Sequence, residues 1–407
     1  MEASRDFVYQ KFCEYYRDPQ TTIPSPPLPN QREFGYLMFK ERFMVRHRRF
    51  ETIEKLRLAL SETVPSDVYH SCAYYENPDF DMDKKGWLGA DLVFDIDADH
   101  LVTPCNKIHD EFRCSKCGFS GRGITPEACP ACEGTKFETK TWPCDQCINT
   151  ARQEAAKLLD MLQNDFGFSQ SETRVFFSGH RGYHVHVESN AIQSLDALAR
   201  KEIVDYVTGL GLSALDTEYK DKHNKANTKK FNLHNFGWNR RLKLGMQKFL
   251  LTATKEDLRT AGLKNNAILK NKDALIKRCI AEGKWEFVSG VSVQTWLKLA
   301  QHAKDLEASQ IDTVVTTDIH RLIRMNGTLH GKTGLKKVEF PAKELQDFDP
   351  FVGAVAFKKG KVKVFVSDVP EFRLGGETLG PYRNETKELP VPAAVMLICK
   401  GRAKVET

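Results

Sequence analysis

Apolar and polar residues alternate over residues 92–97, and this two-residue period predicts a half-buried β-strand. Asp95 and Asp97 then point to the same face of that strand, with Cα atoms about 6.5–7 Å apart. Two carboxylates on one face repel each other unless a cation lies between them. A divalent metal ion would relieve the repulsion, because Mg²⁺ binds carboxylate oxygens and leaves positions open for phosphate. The alternative is a solvated polar strand face.

A pair of strands is predicted on either side of a turn at residues 178–182, with Val175 and Phe177 in the first strand. Two glycines let the backbone of this turn approach a ligand closely. His184 and His186 share the polar face of the second strand. A turn that offers a hydroxyl, main-chain amides, an Arg and a His suits a triphosphate, whereas an ordinary hairpin with basic side chains has the same pattern.

A third polar segment, residues 311–335, combines an acidic start with a basic end. Asp312 precedes a short β-branched run, and Asp318 is predicted to cap a helix with apolar positions 319, 322 and 323. Four basic residues follow within a dozen positions, namely Arg321, Arg324, His330 and Lys332. A carboxylate followed by basic side chains fits a site for a metal ion and phosphate, although a solvated helix face has the same composition.

Eight potential metal ligands lie within residues 105–147 of a chain that has eleven cysteines. Two tetrahedral zinc sites would use all eight, and neither zinc would be catalytic because no position stays open for water. We assign Cys114, Cys117, Cys129 and Cys132 to a zinc ribbon, and Cys105, His109, Cys144 and Cys147 to a second site. The partition between the two sites stays open. Disulfides are the alternative, but the sequence has no recognisable signal peptide, which favours a reducing compartment.

A helical period of apolar residues predicts several longer elements. An N-terminal helix precedes a connector at residues 21–30 that contains four prolines. Further helices are predicted at residues 148–163, 195–210, 267–280 and 293–306. Strand-like alternation returns at Val362, Val364 and Val366. We therefore predict a mixed α/β core built from the N-terminal part and the returning third segment, with a zinc-binding module and a helical subdomain inserted.

Composition adds two observations. No apolar run approaches the ~20 residues that a membrane span needs. The net charge of +6 is unevenly distributed, because residues 219–248 hold nine Lys or Arg residues and one Asp. Aromatic residues are interleaved with these charges, so the segment could bind the phosphates and stack the unpaired bases of a template. A solvated basic loop has the same composition.

In order and spacing, the three polar segments resemble motifs of the catalytic small subunit of archaeal and eukaryotic DNA primase. The resemblance covers roughly residues 30–355 and is weak through the helical middle. The matching residues are the pair Asp95 and Asp97, the run Ser178 to His184, and the set Asp312, Arg324 and His330. Primases of this family carry one zinc knuckle directly after the paired-Asp strand. That supports the second zinc site, and the 114–132 ribbon then looks like an insertion.

The resemblance implies an α/β (α+β) primase-type catalytic core with an inserted zinc-binding module and a helical subdomain. The expected parts are core residues 1–104, a zinc module 105–147, core residues 148–189, a helical subdomain 190–308 and core completion with C-terminal strands at 309–407.

The resemblance also implies a reaction, the template-directed synthesis of short RNA primers on single-stranded DNA from nucleoside triphosphates during replication. Asp95, Asp97 and Asp312 would hold two catalytic Mg²⁺ or Mn²⁺ ions. The nucleotide-binding residues would be Ser178, Gly179, His180, Arg181, His184, Arg324 and His330, with Arg46 as a further candidate. His180 occupies a position where a basic residue is common in the family. Asp318 competes with Asp312 as third metal ligand, and the spacing to Arg324 and His330 favours Asp312.

The implied partners are a large iron–sulfur subunit in a heterodimer, the single-stranded template, an RNA or DNA primer, and the nucleoside triphosphates, with no membrane. The implied location is the archaeal cytoplasm in association with the nucleoid, or the nucleus of a eukaryote. Two other hypotheses remain. One is a repair or mobile-element primase-polymerase of the same fold. The other, of a different class, is a zinc-ribbon nucleic-acid-binding protein without catalysis.

Overall fold

The computed structural model describes residues 2–39, 43–212, 235–263, 267–285 and 288–406. The chain forms two compact units. The first consists of Met1–Ala156, Ser169–Lys201 and Ile311–Thr407, and the second of Lys157–Phe168 and Glu202–Gln310. Among the described residues, none of the helices combines the length and the apolar character needed to cross a membrane.

The strands of the described residues all belong to the first unit. In chain order they are β1 (Phe34–Leu37), β2 (Met44–Arg48), β3 (Asp67–Ser71), β4 (Ala73–Tyr75), β5 (Trp87–Ala90), β6 (Leu92–Asp97), β7 (Glu111–Cys114), β8 (Ser120–Arg122), β9 (Phe137–Lys140), β10 (Thr173–Phe177), β11 (Gly182–Val187), β12 (Leu322–Arg324), β13 (Val338–Phe340), β14 (Lys361–Val366), β15 (Phe372–Leu374), β16 (Glu377–Leu379), β17 (Glu385–Pro390) and β18 (Ala403–Val405).

Helices occur in both units. They are α1 (Glu2–Arg17), α2 (Ile53–Thr63), α3 (Asn106–His109), α4 (Asp145–Asn164), α5 (Asn190–Gln193), α6 (Ala197–Thr208), α7 (Gly237–Thr252), α8 (Lys255–Thr260), α9 (Ala267–Lys270), α10 (Lys272–Leu275), α11 (Val293–Glu307), α12 (Thr313–Thr317), α13 (Pro350–Gly353) and α14 (Val391–Cys399). The long helix predicted at 267–280 is broken into α9, α10 and a π-helical turn at Ile276–Ala281. The other predicted helices are present as α1, α4, α6 and α11.

Two four-stranded antiparallel sheets are the largest in the described part of the chain, with strand orders β12-β3-β1-β2 and β13-β10-β11-β6. The predicted alternation holds in β6, where Leu92, Phe94 and Ile96 are fully buried. The polar face of β11 is buried as well, because the ring of His186 packs 4.5 Å from the ring of Phe176 on β10. A mixed α/β fold is therefore confirmed.

The prediction that a helix begins at Asp318 is wrong. Asp312 instead caps α12 by accepting two main-chain N–H groups, and Asp318 follows the C-terminal end of that short helix. The apolar positions predicted as helical belong to β12, which pairs with β3. Ile323 is buried in one cluster with Val315, so the packing of a strand against α12 outweighed the local helical pattern.

Each unit has its own apolar core. In the second unit, α7 and α11 pack together around Trp296, which is fully buried. In the first unit, Val8 and Phe12 of α1 share a cluster with Val391 and Val395 of α14. This cluster fixes α14 against α1.

The basic segment predicted to bind a template lies largely outside the described residues, which resume at residue 235. Its described end forms α7. Arg241 is buried there in ion pairs with Asp160 and Asp165, at 2.7 and 2.6 Å. Trp238 is also buried, and its indole N–H donates to the Tyr206 carbonyl. Within this described end, Arg241 and Trp238 therefore stabilise the second unit.

Candidate active site

The pairing of β6 with β11 brings the first two predicted motifs together. Asp95 lies opposite His184 and Asp97 opposite Gly182 in an antiparallel register. A side chain at position 182 would meet main chain, because an added Cβ would lie 2.2 Å from the Ile96 carbonyl oxygen. The glycine therefore permits the close approach of the two strands at the end of the carboxylate pair.

The third predicted carboxylate joins the same strand. The main-chain N–H of Asp312 donates to the Asp95 carbonyl at 2.8 Å, and α12 packs against β6. Oδ1 of Asp312 accepts the main-chain N–H groups that cap α12, so Oδ2 is not used by the cap. Asp318 differs, because its Oδ1 accepts the N–H of His320 and its charge is not among the main causes that shift the pKa of Asp95. The geometry therefore favours Asp312 over Asp318 as the candidate third metal ligand.

Negative charge accumulates at Asp95. Burial, and then the carboxylates of Asp97 and Asp312, raise the pKa of Asp95 to about 7. Its Oδ1 is buried without a hydrogen bond, and the nearest His184 nitrogen is 3.5 Å away. Burial and the neighbouring cations Lys337 and Arg324 hold the pKa of His184 well below its ordinary value, so this imidazole does not neutralise the carboxylates. The three acids fit a divalent cation, which supplies the missing charge.

Among the described residues, three groups of possible metal ligands have donor atoms within 4.8 Å of one another, and one of them shares Asp97. That group is Asp97, Asp99 and His180. Asp95, Asp97 and Asp312 do not form such a group in the described residues, although the charges of Asp97 and Asp312 both raise the pKa of Asp95.

The turn between β10 and β11 is held by its own serine. Oγ of Ser178 accepts the main-chain N–H groups of His180 and Gly182, each at 3.3 Å. Gly179 has a φ of 88°, and its carbonyl accepts the Thr333 hydroxyl at 2.5 Å. The rings of His180 and His330 stack with centroids 5.1 Å apart. The structure thus joins the predicted second and third motifs at this turn.

Arg181 has a different environment from the one its motif suggested. Its guanidinium is buried and pairs with Asp99 and, at 2.9 Å, with Asp110. One of its nitrogens is also 3.6 Å from the Cys147 sulfur. This geometry favours a role in fixing the turn, since the guanidinium is already occupied by carboxylates.

Arg324 is paired with an acid that sequence reasoning missed. Its guanidinium donates to Oδ1 of Asp67 at 2.6 Å, and the N–H of Gly331 donates to the same oxygen at 3.0 Å. Burial raises the pKa of Asp67, but Arg324 and His330 outweigh it and hold that pKa well below the ordinary value. Asp67 opens β3 with no flanking motif, so the sequence carried no signal for it.

A cavity of about 520 Å³ lies beside this pair. Its polar lining includes Asp67, Tyr69, Arg324, His330 and Lys332. The volume falls within the roughly 300–1,000 Å³ range of small-molecule sites. The predicted basic residues of the third motif therefore face a space of nucleotide size.

A second buried cation was also missed. Lys337 is almost fully buried, and its ammonium donates to the Arg324 carbonyl at 2.8 Å and lies 4.3 Å from the Phe176 ring. It thereby fixes the main chain of the residue that faces the cavity.

Arg46, the further candidate for nucleotide binding, lies on β2 and pairs with the buried carboxylate of Glu33 at 2.9 Å.

The eight predicted zinc ligands form two separate clusters, partitioned as predicted. In the first, Nε2 of His109 is 3.3 Å from the Cys144 sulfur, and the Cys105 and Cys147 sulfurs are 3.4 Å apart. Such separations suit the edges of a tetrahedron around zinc, with Zn–S bonds of about 2.3 Å. Nδ1 of His109 also contacts Asp110 at 2.7 Å, the kind of outer contact that orients a ligating imidazole.

The second cluster lies in the three-stranded sheet β8-β7-β9 and its loops. The sulfurs of Cys114 and Cys132 are 3.6 Å apart, and those of Cys117 and Cys129 are 3.7 Å apart. All eleven cysteines are free thiols, so the disulfide alternative finds no support. Both clusters could therefore hold a metal ion, and their Cys and His donors suit zinc.

The comparisons with known proteins all identify the same family. A family model described as DNA primase small subunit matches residues 135–341. The DNA primase small subunit PriS of Cenarchaeum symbiosum (strain A) is 36% identical, over 97% of this chain and 96% of that protein. The proteins of the same name from Nitrosopumilus maritimus (strain SCM1) and Methanococcoides burtonii (strain DSM 6242) are each 31% identical, over 99% and 98% of this chain and 99% and 97% of their own lengths.

Proposed function

This chain belongs to the family of DNA primase small subunits, nucleotidyltransferases that synthesise RNA primers, and we propose that its catalytic centre is the junction of β6, the 178–182 turn and α12. One observation carries this proposal. The strand β6, whose carboxylates lack a neutralising cation, pairs directly with β11. The strand β11 follows the 178–182 turn, which suits phosphate binding. Nucleotidyl transfer needs these two functions next to each other.

Asp95, Asp97 and Asp312 would hold the Mg²⁺ or Mn²⁺ ions. When bound, these ions neutralise phosphate charge and favour the ionised form of the attacking hydroxyl. The fit rests on the buried, unbonded Oδ1 of Asp95 and on the free second oxygen of the Asp312 cap. Asp95 and Asp97 are aligned by β6, and Asp312 is carried to them by its main-chain bond to the Asp95 carbonyl.

The incoming nucleoside triphosphate would bind between the turn and the third motif. Ser178, Gly179, His180 and His184 would contact it from the β10–β11 side, and Arg324 and His330 from the cavity side. Asp67 fixes the guanidinium of Arg324 in this arrangement. Arg181 would support nucleotide binding indirectly, because its ion pair with Asp110 fixes the turn. Arg46 remains a candidate for a contact with the nucleotide.

Two zinc ions would be structural. The Cys105, His109, Cys144 and Cys147 site would support the turn through Asp110 and Arg181, and the ribbon of Cys114, Cys117, Cys129 and Cys132 would stabilise its own small sheet. In this proposal, residues 105–147 are a zinc module inserted into the catalytic core, and the helices between residues 190 and 308 are a further insertion.

The substrates would be a single-stranded DNA template, a primer and nucleoside triphosphates, with a large iron–sulfur primase subunit as heterodimeric partner. The relatives named above come from archaea, which favours a cytoplasmic, nucleoid-associated location. The same fold in a repair or mobile-element primase-polymerase is the second candidate. This second candidate would be favoured if the purified chain preferred deoxynucleotides and acted without a large subunit.

The test uses labelled ribonucleotides and single-stranded DNA with Mg²⁺ or Mn²⁺, first without and then with the large subunit. We expect short RNA from the wild-type chain and none from the Asp95→Ala/Asp97→Ala variant. The matched control is Asp318→Asn, which alters the acid at the other end of α12 that the proposal leaves out of the metal site, and it should remain active. Equal synthesis by the Asp95/Asp97 variant would mean that the metal site is elsewhere.

A further inference from the structure

The first helix and the last strand of the described chain meet beside the nucleotide-sized cavity. The main-chain N–H of Val405, on β18, donates to the hydroxyl of Ser4, in the first turn of α1, at 2.9 Å. Ser4 is buried, and Val8, one turn later, packs in the apolar cluster that α1 shares with α14. Ser4 and Val8 both line the cavity of about 520 Å³. This wall of the cavity is therefore held by a hydrogen bond and by apolar packing.

Each of the two elements also contributes a cation to the cavity lining. Arg5 follows the bonded serine on α1, and Lys404 precedes the bonded valine on β18, so this hydrogen bond brings both cations to the cavity. Both residues are exposed, and neither forms an ion pair with an acid of the described chain. Glu406, the acid nearest to Lys404 in the sequence, pairs with Lys363 at 3.0 Å instead. The two positive charges are therefore free to contact a ligand.

Positive charge predominates in the described lining of the cavity. Its charged residues are Arg5, Asp67, Arg324, Lys332 and Lys404. Asp67, the one acid of this set, is already paired with Arg324 at 2.6 Å. Three cations remain, and they come from three distant parts of the sequence. Like charges that surround one cavity repel each other, and a bound polyanion offsets this repulsion. The cavity therefore favours a ligand with several negative charges.

A series of contacts leads from the proposed metal site to this cavity. An imidazole nitrogen of His180 is 3.8 Å from a carboxylate oxygen of Asp97, and the rings of His180 and His330 are stacked. His330 and Arg324 both line the cavity. The cavity thus continues the proposed nucleotide site on the side of the third motif. Its positive lining suits the phosphate end of a nucleotide better than the uncharged base.

We infer that Arg5 and Lys404 bind the terminal phosphates of the incoming nucleoside triphosphate and thereby select triphosphates over monophosphates. This inference rests on the proposed function and names the part of the substrate that the cavity recognises. Both residues lie outside residues 135–341, the part that matches the family model, so the motifs do not reveal them. Arginine and lysine suit this task because each donates charge-assisted hydrogen bonds to phosphate oxygens.

The experiment measures the dissociation constants of ATP and AMP, each with Mg²⁺, for the wild type and for Arg5→Met/Lys404→Met. This neutral variant keeps the aliphatic stems and removes both charges. We expect its ATP constant to rise about tenfold, or about threefold for each charge, because the two contacts are exposed to solvent. The AMP constant should stay within about twofold of the wild type, because AMP lacks the terminal phosphates. In primer synthesis, the KM for nucleoside triphosphates should rise about tenfold while kcat stays unchanged.

Two further variants serve as controls, and thermal unfolding of each variant checks that the fold is intact. Arg5→Lys/Lys404→Arg exchanges the two cations and should keep the ATP constant within about threefold of the wild type. Lys11→Met/Lys387→Met removes two other cations, which pair with neighbouring acids and do not line the cavity, so it should change neither constant. Raising the ionic strength from about 0.1 M to about 1 M should reduce the difference between the wild type and the neutral variant, because salt screens exposed charges.

The inference would be overturned by an unchanged ATP constant in the neutral variant, and weaker binding of single-stranded DNA in that case would assign the two charges to the template. An equal rise of the ATP and AMP constants would also overturn it, because the cavity would then hold the nucleoside. So would an equal rise of the ATP constant in either control variant, because the effect would then follow from the shape of the side chains or from the overall charge of the protein.

Failure of the proposed function would look different. If the wild-type chain made no RNA on any template, the ATP and AMP constants could still be measured without a template. A change of about tenfold in their ratio in the neutral variant would then still support phosphate recognition by Arg5 and Lys404. RNA synthesis by the wild type with the same constants in both proteins would keep the proposed function and exclude the inference.

Discussion

Asp67 shows how much of the candidate site depends on single pairs of buried charges. Its carboxylate accepts the Arg324 guanidinium and the Gly331 N–H, and both Asp67 and Arg324 are largely buried. A buried guanidinium without its counter-charge is strongly unfavourable. The position of the cavity-facing arginine is therefore set by an acid that lies 257 residues earlier in the chain.

At pH 7, we expect Asp67→Asn to lower the free energy of unfolding by about 3–5 kcal/mol, because it removes one partner of a buried pair. The folded-state pKa of Asp67 is lowered, so its contribution is present above the ordinary carboxyl pKa of about 4 and is lost as the pH falls below it. Urea unfolding between pH 7 and pH 3 measures this, and the difference between wild type and variant should shrink at the acidic end.

Tyr69→Phe is the control for that measurement. It removes the 3.4 Å contact between the Tyr69 hydroxyl and Arg324 but leaves the ion pair. We expect a change below about 1 kcal/mol that does not vary with pH in this range. An Asp67→Asn variant as stable as Tyr69→Phe at pH 7 would contradict the assignment of this pair as a main support of the site.

Residues of this kind also define what the sequence could predict. Asp95 and Asp97 were visible because strand alternation puts them on one face within a single hexapeptide, and the turn at 178–182 was visible because its two glycines and its polar residues are consecutive in the chain. Asp67 and Lys337 were not visible, because Asp67 pairs with Arg324 and the Lys337 ammonium packs on the Phe176 ring, each far away in the chain. A pairing made only in three dimensions leaves no local pattern to detect.

At the scale of elements, α12 combines two tasks in one residue. Asp312 caps the helix through Oδ1 and is the proposed third metal ligand. The short β-branched run after it has low helix propensity, so the cap is what makes a helix of Thr313–Thr317 favourable. The sequence pattern suggested a later helix because it could not show which of two acids would form this cap.

The two tasks can be separated by substitution. Asp312→Asn should preserve the cap and the melting temperature while abolishing primer synthesis, because Asn accepts the same N–H groups without a carboxylate. Asp312→Ala should abolish synthesis and also lower the free energy of unfolding by about 1 kcal/mol. Thermal unfolding and primer synthesis, measured on both variants, test this. Activity in Asp312→Asn would exclude the residue as a metal ligand.

The two cysteine clusters belong to elements with different relations to the site. The Cys105 cluster reaches the 178–182 turn through Asp110, Arg181 and Cys147, whereas the ribbon sheet has its own sulfurs and strands. Arg181 pairs with Asp110 at 2.9 Å, so the geometry of the turn depends on the first cluster.

From the two proposed zinc sites, we therefore expect unequal effects of zinc loss. Cys147→Ser should remove one zinc and abolish primer synthesis, while Cys117→Ser should remove the other and leave synthesis within about threefold of the wild type. Metal analysis of the purified variants gives the zinc content, and the primer assay gives the activity. Equal loss of activity in both variants would mean that the ribbon also supports catalysis.

At the scale of the whole molecule, the two units have separate cores. The second unit is centred on Trp296, which is fully buried and lies with its ring 6.4 Å from that of Trp285. The first unit is held by the two four-stranded sheets and the cluster of α1 with α14. Separate cores allow one unit to lose stability while the other keeps its structure.

Trp296→Ala should make this separation measurable. We expect the free energy of unfolding of the second unit to fall by about 3–5 kcal/mol, because a large buried side chain is replaced by a cavity. Hydrogen exchange should accelerate in α7 and α11 and stay unchanged in β6 and β11. Val185→Ala, in β11, is the reciprocal control and should accelerate exchange in the first unit. Uniform acceleration throughout the chain would show that the units unfold together.

The direct pairing of β6 with β11 has a consequence for how such a protein can change over generations. Because Asp95 and His184 are held opposite each other by main-chain hydrogen bonds, the chain between the two strands can lengthen, shorten or acquire a new module without displacing either residue. Lineages can therefore exchange the ribbon within residues 114–132 while the chemistry stays the same, whereas Asp110 and the Cys105 cluster must stay because they support the turn. Variation should concentrate in that ribbon, and the six residue pairs of β6 and β11 should tolerate almost none.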